Sequence, residues 1–293
     1  MKTLADLESR ALELIQRTST RLPDDVISAL KQGRDAEASG SAARAALDSV
    51  LENIVMAGEM TTPICQDTGT PIFYIKHPWD YPTRPMKEAF TSAVRAATAK
   101  SLLRPNSVDS LSGANSGDNT GDHFPVFHFE QWERPDEVRV DLMLKGGGCE
   151  NMGIQYSLPH AELKAGRDLD GVRKVILDGL VRAQGQGCGP AVIGVCIGAD
   201  RTSSASIAKE QILRPLADRN PDKVLAQLED EILAASRKLQ IGPMGFGGAT
   251  TLLGVKIAKA HRLPASYFVS IAYMCWASRH RGMTIKNGEV RYD

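Results

Sequence analysis

The chain has 293 residues, 42% of them hydrophobic and 24% charged, with 35 basic side chains balancing 35 acidic ones. That length can bury a sizeable core, and zero net charge argues against a dedicated nucleic-acid binder. No apolar run is long enough to span a bilayer, and five scattered cysteines, an odd number, argue against a disulfide framework.

Residues 3–58 read as helices. Leu4, Leu7, Ala11, Leu14 and Ile15 keep helical spacing, as do Leu47, Val50, Leu51 and Ile54. The start, Met1 to Glu8, alternates charged and apolar residues and does not read as a secretory signal, so a cytoplasmic location is expected. Pro23 with Asp24 and Asp25 suits the first turn of a second helix, since proline needs no donor there and the carboxylates suit the dipole. Thr61 to Thr70 then places a thiol, an amide, a carboxylate and a hydroxyl on consecutive residues, Cys65-Gln66-Asp67-Thr68, between Pro63 and Gly69. This is a turn or tight loop. Taken alone, Cys65 reads equally as a small buried hydrophobe.

Pro71 to Ile75 predicts a strand and 85–101 a helix, with Pro105 as its stop. Residues 110–123 are rich in Ser, Gly, Asn and Asp, which fits a mobile linker or a loop lining a site. Phe124 to Trp132 and Val138 to Leu144 predict strands, the second running into Lys145-Gly146-Gly147-Gly148-Cys149. Three glycines at a strand end permit positive φ or close approach to a ligand. A helix is predicted over 168–184. Gly185 to Pro190 leads into the apolar run Ala191 to Ile197, without the dinucleotide-binding glycine pattern. Helices follow at 202–214 and 221–239, the second with Val224, Leu225, Leu228, Ile232 and Leu233 on one side. A glycine loop at Pro243 to Thr251 and a strand-like Tyr267 to Met274 lead to Cys275. There is no internal repeat and no clear boundary. The expectation is a mixed α+β fold over 1–293 as one domain, with 1–58 a helical N-terminal part.

No pair of cysteines forms C-x-x-C. Cys65, Cys188 and Cys275 share a setting beside glycine or polar residues at strand ends, as does Cys149, whereas Cys196 sits inside an apolar run and reads as core. Three thiolates from distant loops would suit an iron–sulfur cluster with one open iron, a Lewis acid toward substrate oxygens.

Five stretches, Cys65 to Thr70, Leu103 to Val108, Lys145 to Asn151, Gly242 to Gly248 and Cys275 to Ala277, together resemble the class I fumarate hydratase family. The likeness runs from about residue 10 to residue 285, and is strongest to the α subunit of the two-subunit members, which include L-tartrate dehydratase. The resemblance implies a [4Fe–4S] hydro-lyase adding water to fumarate to give malate, with Cys65, Cys188 and Cys275 as cluster ligands. It implies substrate contacts from Gln66 and Arg104 and through the backbone of Gly147 and Gly148. Asp67 matches an acidic residue beside the proton transfer. His261 matches either the family's substrate-binding histidine or a surface histidine before Pro264. Arg104 suits a bidentate grip on a carboxylate, and equally a helix C-terminus.

Single-chain relatives carry a further C-terminal domain with the general base. The resemblance therefore implies a separate β subunit and an α2β2 assembly, with neither nucleic acid nor membrane as partner. Two other readings stay open: dehydration of L-tartrate or another C4 or C5 hydroxy diacid, and a non-catalytic subunit that kept the fold. Cys149 stands where tartrate dehydratases can also have cysteine, while its flanks look more like fumarase.

Overall fold

The apolar spacing from Leu7 onward forms a helix as expected. The structure, a computed structural model, describes residues 6–293, so Leu4 and its neighbours lie outside the described residues. The described chain divides into two compact units: Met1–Pro23, Asn53–Gly147 and Arg279–Asp293 in one, Asp24–Glu52 and Gly148–Ser278 in the other.

In the first unit, α1 (Leu7–Thr20) buries Leu7, Ala11, Leu14 and Ile15, and α4 (Thr83–Ala99) buries Met86, Phe90, Ala93, Val94 and Ala97. Both stripes join one core with Phe73, Ile75, Val138, Val140, Leu142, Leu144, Met283 and Ile285 from a five-stranded sheet. Burying such a side chain contributes about 1.5–3 kcal/mol. The strands are β1 (Thr70–His77), β2 (Val126–Gln131), β3 (Glu137–Lys145), β8 (His280–Lys286) and β9 (Glu289–Tyr292), in the order β2-β1-β3-β8-β9. β1 runs parallel to β2 and antiparallel to β3, and β3 runs antiparallel to β8. Thr70 therefore faces Lys145, and Met143 faces His280. The start of β1, the end of β3 and the start of β8 lie on one edge of this sheet.

The second unit holds α2 (Asp24–Ala36), α6 (Leu169–Ala183), α7 (Arg201–Gln211) and α8 (Lys223–Lys238) with strands β4 (Ile154–Ser157), β5 (Ala191–Ile197), β6 (Leu252–Lys259) and β7 (Phe268–Met274). The sheet order is β4-β7-β5-β6, with β5 parallel to β6 and antiparallel to β7. Gly194 pairs with Ala272 and Val195 with Ile271, so Gly194 and Ile271 point to opposite faces. A Cβ at Gly194 would lie 2.0 Å from the Ala208 carbonyl oxygen of α7, and one at Gly179 of α6 would lie 3.0 Å from Ile271. Helices thus cover both faces of this sheet. Asp168, Asp200 and Asp222 cap α6, α7 and α8 by accepting backbone N–H bonds of the first turn. On α8 the expected stripe is narrower: Leu225, Leu228 and Ile232 are buried, but Val224 is exposed.

The division falls within α3 (Ala42–Met60), and α5 (Gly147–Glu150) is a single turn. Both sheets are mixed, in keeping with the mixed α+β expectation. Among the described residues no helix is long and apolar enough to cross a membrane.

Candidate functional site

In the first unit the loop before β1 is held from both sides. Ile64 is buried, its N–H donates to the Ser19 carbonyl at 3.0 Å, and its carbonyl accepts from Asn53 Nδ2 at 2.9 Å. Asp67 Oδ1 accepts from the Gly69 N–H at 3.1 Å, a side-chain turn that fixes the carboxyl group. Gly69 has φ +79°, and a Cβ there would sit 2.7 Å from the Lys145 carbonyl carbon. Left-handed geometry and close backbone approach both require glycine. Gly69→Ala should therefore cost about 2–4 kcal/mol and lower the Tm by about 4–10 °C in thermal unfolding.

Thr68 is buried and its Oγ1 accepts from the Arg104 N–H at 2.9 Å and from Asn106 Nδ2 at 3.1 Å. Arg104 Nη1 reaches the Gln66 carbonyl at 3.4 Å, and the side chain is otherwise exposed. α4 ends at Ala99, earlier than Pro105 suggests. Ser101 takes φ +59°, its N–H donates to Thr98, and the Leu102 N–H donates back to Ala97. This left-handed turn closes the helix without proline, and it removes Arg104 from the last helical turn, where the capping reading would need it.

The polar stretch beyond Arg104 is not a bare linker. Asn106 N–H donates to Asn119 Oδ1, Ser107 Oγ to the Thr120 carbonyl, Asn115 Nδ2 to the Pro105 carbonyl, and Asp109 Oδ1 accepts from Ser112. The loop is tied back onto the segment that carries Arg104. Across the sheet edge, Gly147 follows β3, and a Cβ there would lie 4.0 Å from Asp67 Oδ2. Gly147 and Gly148 do not need positive φ, and a Cβ at Gly148 would meet open space. Their exposure leaves room for close approach by a ligand. Cys65, Gln66, Asp67, Arg104 and Gly147 thus gather at one edge of one sheet.

The second unit brings Cys188 and Cys275 together. Cys188 is exposed with φ +52°, and its carbonyl accepts from the Trp276 N–H at 3.1 Å. Cys275 is buried just after β7. Cys149 is also buried, its Sγ 3.9 Å from Met274 Sδ. Tyr273 packs among these thiols: a Cβ at Gly187 would lie 2.3 Å from its ring. Burial, then the nearby charges of Cys275, Cys149 and Cys188, hold its phenol well above the usual tyrosine range. Cys196 is fully buried on β5 and its thiol is pushed up by burial, in line with a core residue.

His261 is placed elsewhere. Cys188 precedes β5 and Cys275 follows β7 at one end of the sheet, where Val192 pairs with Met274. His261 follows β6 at the other end, where Ile197 pairs with Lys259. A seven-residue strand separates the two ends by about 20 Å. Within this chain His261 is not brought to Cys188 and Cys275. It lines instead an open cavity of about 590 Å³ with Lys259, Arg262 and Tyr267.

The family model described as fumarate hydratase (Fumerase) matches residues 8–284. The chain belongs to the fumarate hydratase family. It is 52% identical over 284 residues to a putative fumarate hydratase class I of Geobacillus stearothermophilus, covering 95% of this chain and 55% of that protein. It is 31% identical over 276 residues to the L(+)-tartrate dehydratase subunit alpha of Escherichia coli K12, covering 94% of this chain and 89% of that subunit. The chain spans about half the length of the Geobacillus relative.

Two residues at the polar edge of the first unit, and one in the second unit, escape a sequence reading. Thr68 and Asn106 lie in family-like stretches, but nothing in their spacing says that one hydroxyl ties both segments together. Tyr273 sits in a strand pattern, and only the absence of a side chain at Gly187 hints that something large fills that space.

Proposed function

We propose that this chain is the α-type half of a hydro-lyase that adds water across the double bond of fumarate to give malate. The observation that carries this reading is the 52% identity to the Geobacillus fumarate hydratase along 95% of the chain. In this reading Cys65, Cys188 and Cys275 hold a [4Fe–4S] cluster. The donor set fits such a group: Cys188 and Cys275 are neighbours in one unit, and Cys65 is half-buried on a loop fixed at both ends. Among the described residues no three His, Cys, Asp or Glu side chains are arranged to hold a single ion, whereas a cluster spreads its thiolates over several irons. Bound there, the cluster would supply a Lewis acid for substrate oxygens.

The chain's own residues would bind and orient the diacid. The exposed Arg104 guanidinium, its backbone pinned by Thr68, offers two parallel donors to a carboxylate. Gln66 stands beside it, and its carbonyl steadies the guanidinium. Gly147 and Gly148 let the substrate approach the backbone. The Asp67 carboxyl, oriented through Oδ1 by Gly69, presents Oδ2 toward Gly147 and is placed to hold or release a proton there. A separate β subunit, in an α2β2 assembly, would supply the remaining groups and exclude solvent.

The length match to the tartrate dehydratase α subunit, 89% of that subunit, favours a second reading in which the diacid is L-tartrate. The test is anaerobic purification with the partner, followed by ultraviolet assay of fumarate loss and of L-tartrate dehydration side by side. Fumarate should be turned over at least about tenfold more efficiently, a difference of roughly 1.4 kcal/mol in the barrier. Preference for tartrate would replace the first reading with the second. A colourless protein inactive on both would leave a non-catalytic subunit.

A further inference from the structure

Arg279 is among the largest fully buried side chains of the described structure, at 1% exposure. Its Nε and Nη1 have no hydrogen-bond partner. Lys256, at 2% exposure, shows how this fold normally treats a buried cation: its Nζ donates to the Leu216 and Asp218 carbonyls and to Asp218 Oδ1. A guanidinium with two buried nitrogens lacking acceptors is held at a desolvation cost unless an anion accompanies it.

The sheet register places Arg279 relative to the Cys65 loop. Arg279 immediately precedes β8, and its carbonyl accepts from the Leu144 N–H at 3.0 Å. A Cβ on Gly69 would approach the same Leu144 from the β1 side, 2.9 Å from its carbonyl carbon. Arg279 and the Cys65 loop therefore flank the same end of β3, two strand spacings or about 10 Å apart. At 1% exposure the guanidinium suits a resident group, not a substrate that exchanges with solvent. A thiolate-ligated iron–sulfur group is resident and anionic.

From this we infer that Arg279 is a positioning residue that supplies the buried counter-charge for the iron–sulfur group held by Cys65. The inference rests on the cluster reading above. Removing the positive charge disfavours the reduced, more negative cluster, so its potential moves down. It also weakens the hold on the anion.

The experiment compares anaerobically purified wild type, Arg279→Met and Arg279→Lys by redox titration, by iron loss to a chelator, and by thermal unfolding after iron is stripped. Arg279→Met should shift the reduction equilibrium by about tenfold, ~59 mV more negative for one electron, and lose iron about tenfold faster. Arg279→Lys should recover most of both. The stripped Arg279→Met chain should melt no lower than stripped wild type, because an apolar side chain replaces an unpaired buried charge. A brown wild type with unchanged potential and iron loss in Arg279→Met overturns this inference alone, and so does a lowered Tm in the stripped variant. A colourless wild type overturns the cluster reading and this inference together.

Discussion

Serine at Cys65, Cys188 or Cys275 should leave the protein unable to retain the proposed cluster. Each substitution removes one of three proposed protein ligands, and a hydroxyl is a far weaker donor to iron than a thiolate. Losing a mere partner of a ligand costs 10–100-fold in metal affinity, so losing the ligand itself should cost at least about 100-fold. Iron and sulfide analysis with the visible spectrum reads this directly. Cys196→Ser should retain its iron, because that thiol is buried on β5. Cys149→Ser is the sharper control. Its Sγ faces Met274 in the same group of thiols around Tyr273, so iron loss there with retention in the Cys65 variant would exchange their roles.

Arg104→Lys should cut kcat/KM for the diacid by about 100-fold while the cluster stays intact. Lysine keeps the charge but loses the planar fork that grips a carboxylate with two parallel bonds. Removing one well-placed donor at a developing anion costs about 10²–10³ in rate. The fold should not notice, because Thr68 holds this position through the backbone N–H and not the side chain. Steady-state kinetics with Tm measured in parallel makes the check. Wild-type kinetics would remove Arg104 from substrate binding, and a lowered Tm would give it a structural task.

Much of the fold could be read from periodicity, and the exceptions have physical causes. β6 escapes because Gly254 and Lys256 interrupt its apolar run. Gly254 leaves room for Leu216, 2.6 Å from where a Cβ would be, and the Lys256 ammonium is buried on carbonyls of the 216–218 segment. β8 escapes because it begins His280-Arg281-Gly282. The glycine is there because the Arg139 guanidinium fills the place of its Cβ, 1.8 Å away. Both strands owe their composition to partners distant in sequence, which a local pattern does not carry. The site was legible in the same uneven way. Cys65 to Gly69 crowds a thiol, an amide, a carboxylate and a hydroxyl into one turn, although Cys65 alone reads equally as a small buried hydrophobe. Arg104 carries two local readings, and only the left-handed turn at Ser101 separates them. For His261, a residue type and an approximate spacing do not say at which end of a sheet the loop emerges.

The edge shared by β1, β3 and β8 has a consequence for how the protein is made. β1 begins at Thr70, β3 ends at Lys145, and β8 begins only at His280, so nearly half of the chain is synthesised between the second and third arrivals. Domains assemble largely as units while they emerge, and pairings between distant strands form late. A nascent chain that has emerged as far as β3 already displays the Cys65 thiol, while Arg279 and β8 are still to be translated. During that interval the thiol is open to oxidation, and in the proposed cluster reading any iron delivered to it meets an unfinished site. Maturation machinery that acts after release from the ribosome would avoid both hazards, and pulse-labelled iron should enter full-length chains well ahead of ribosome-bound ones.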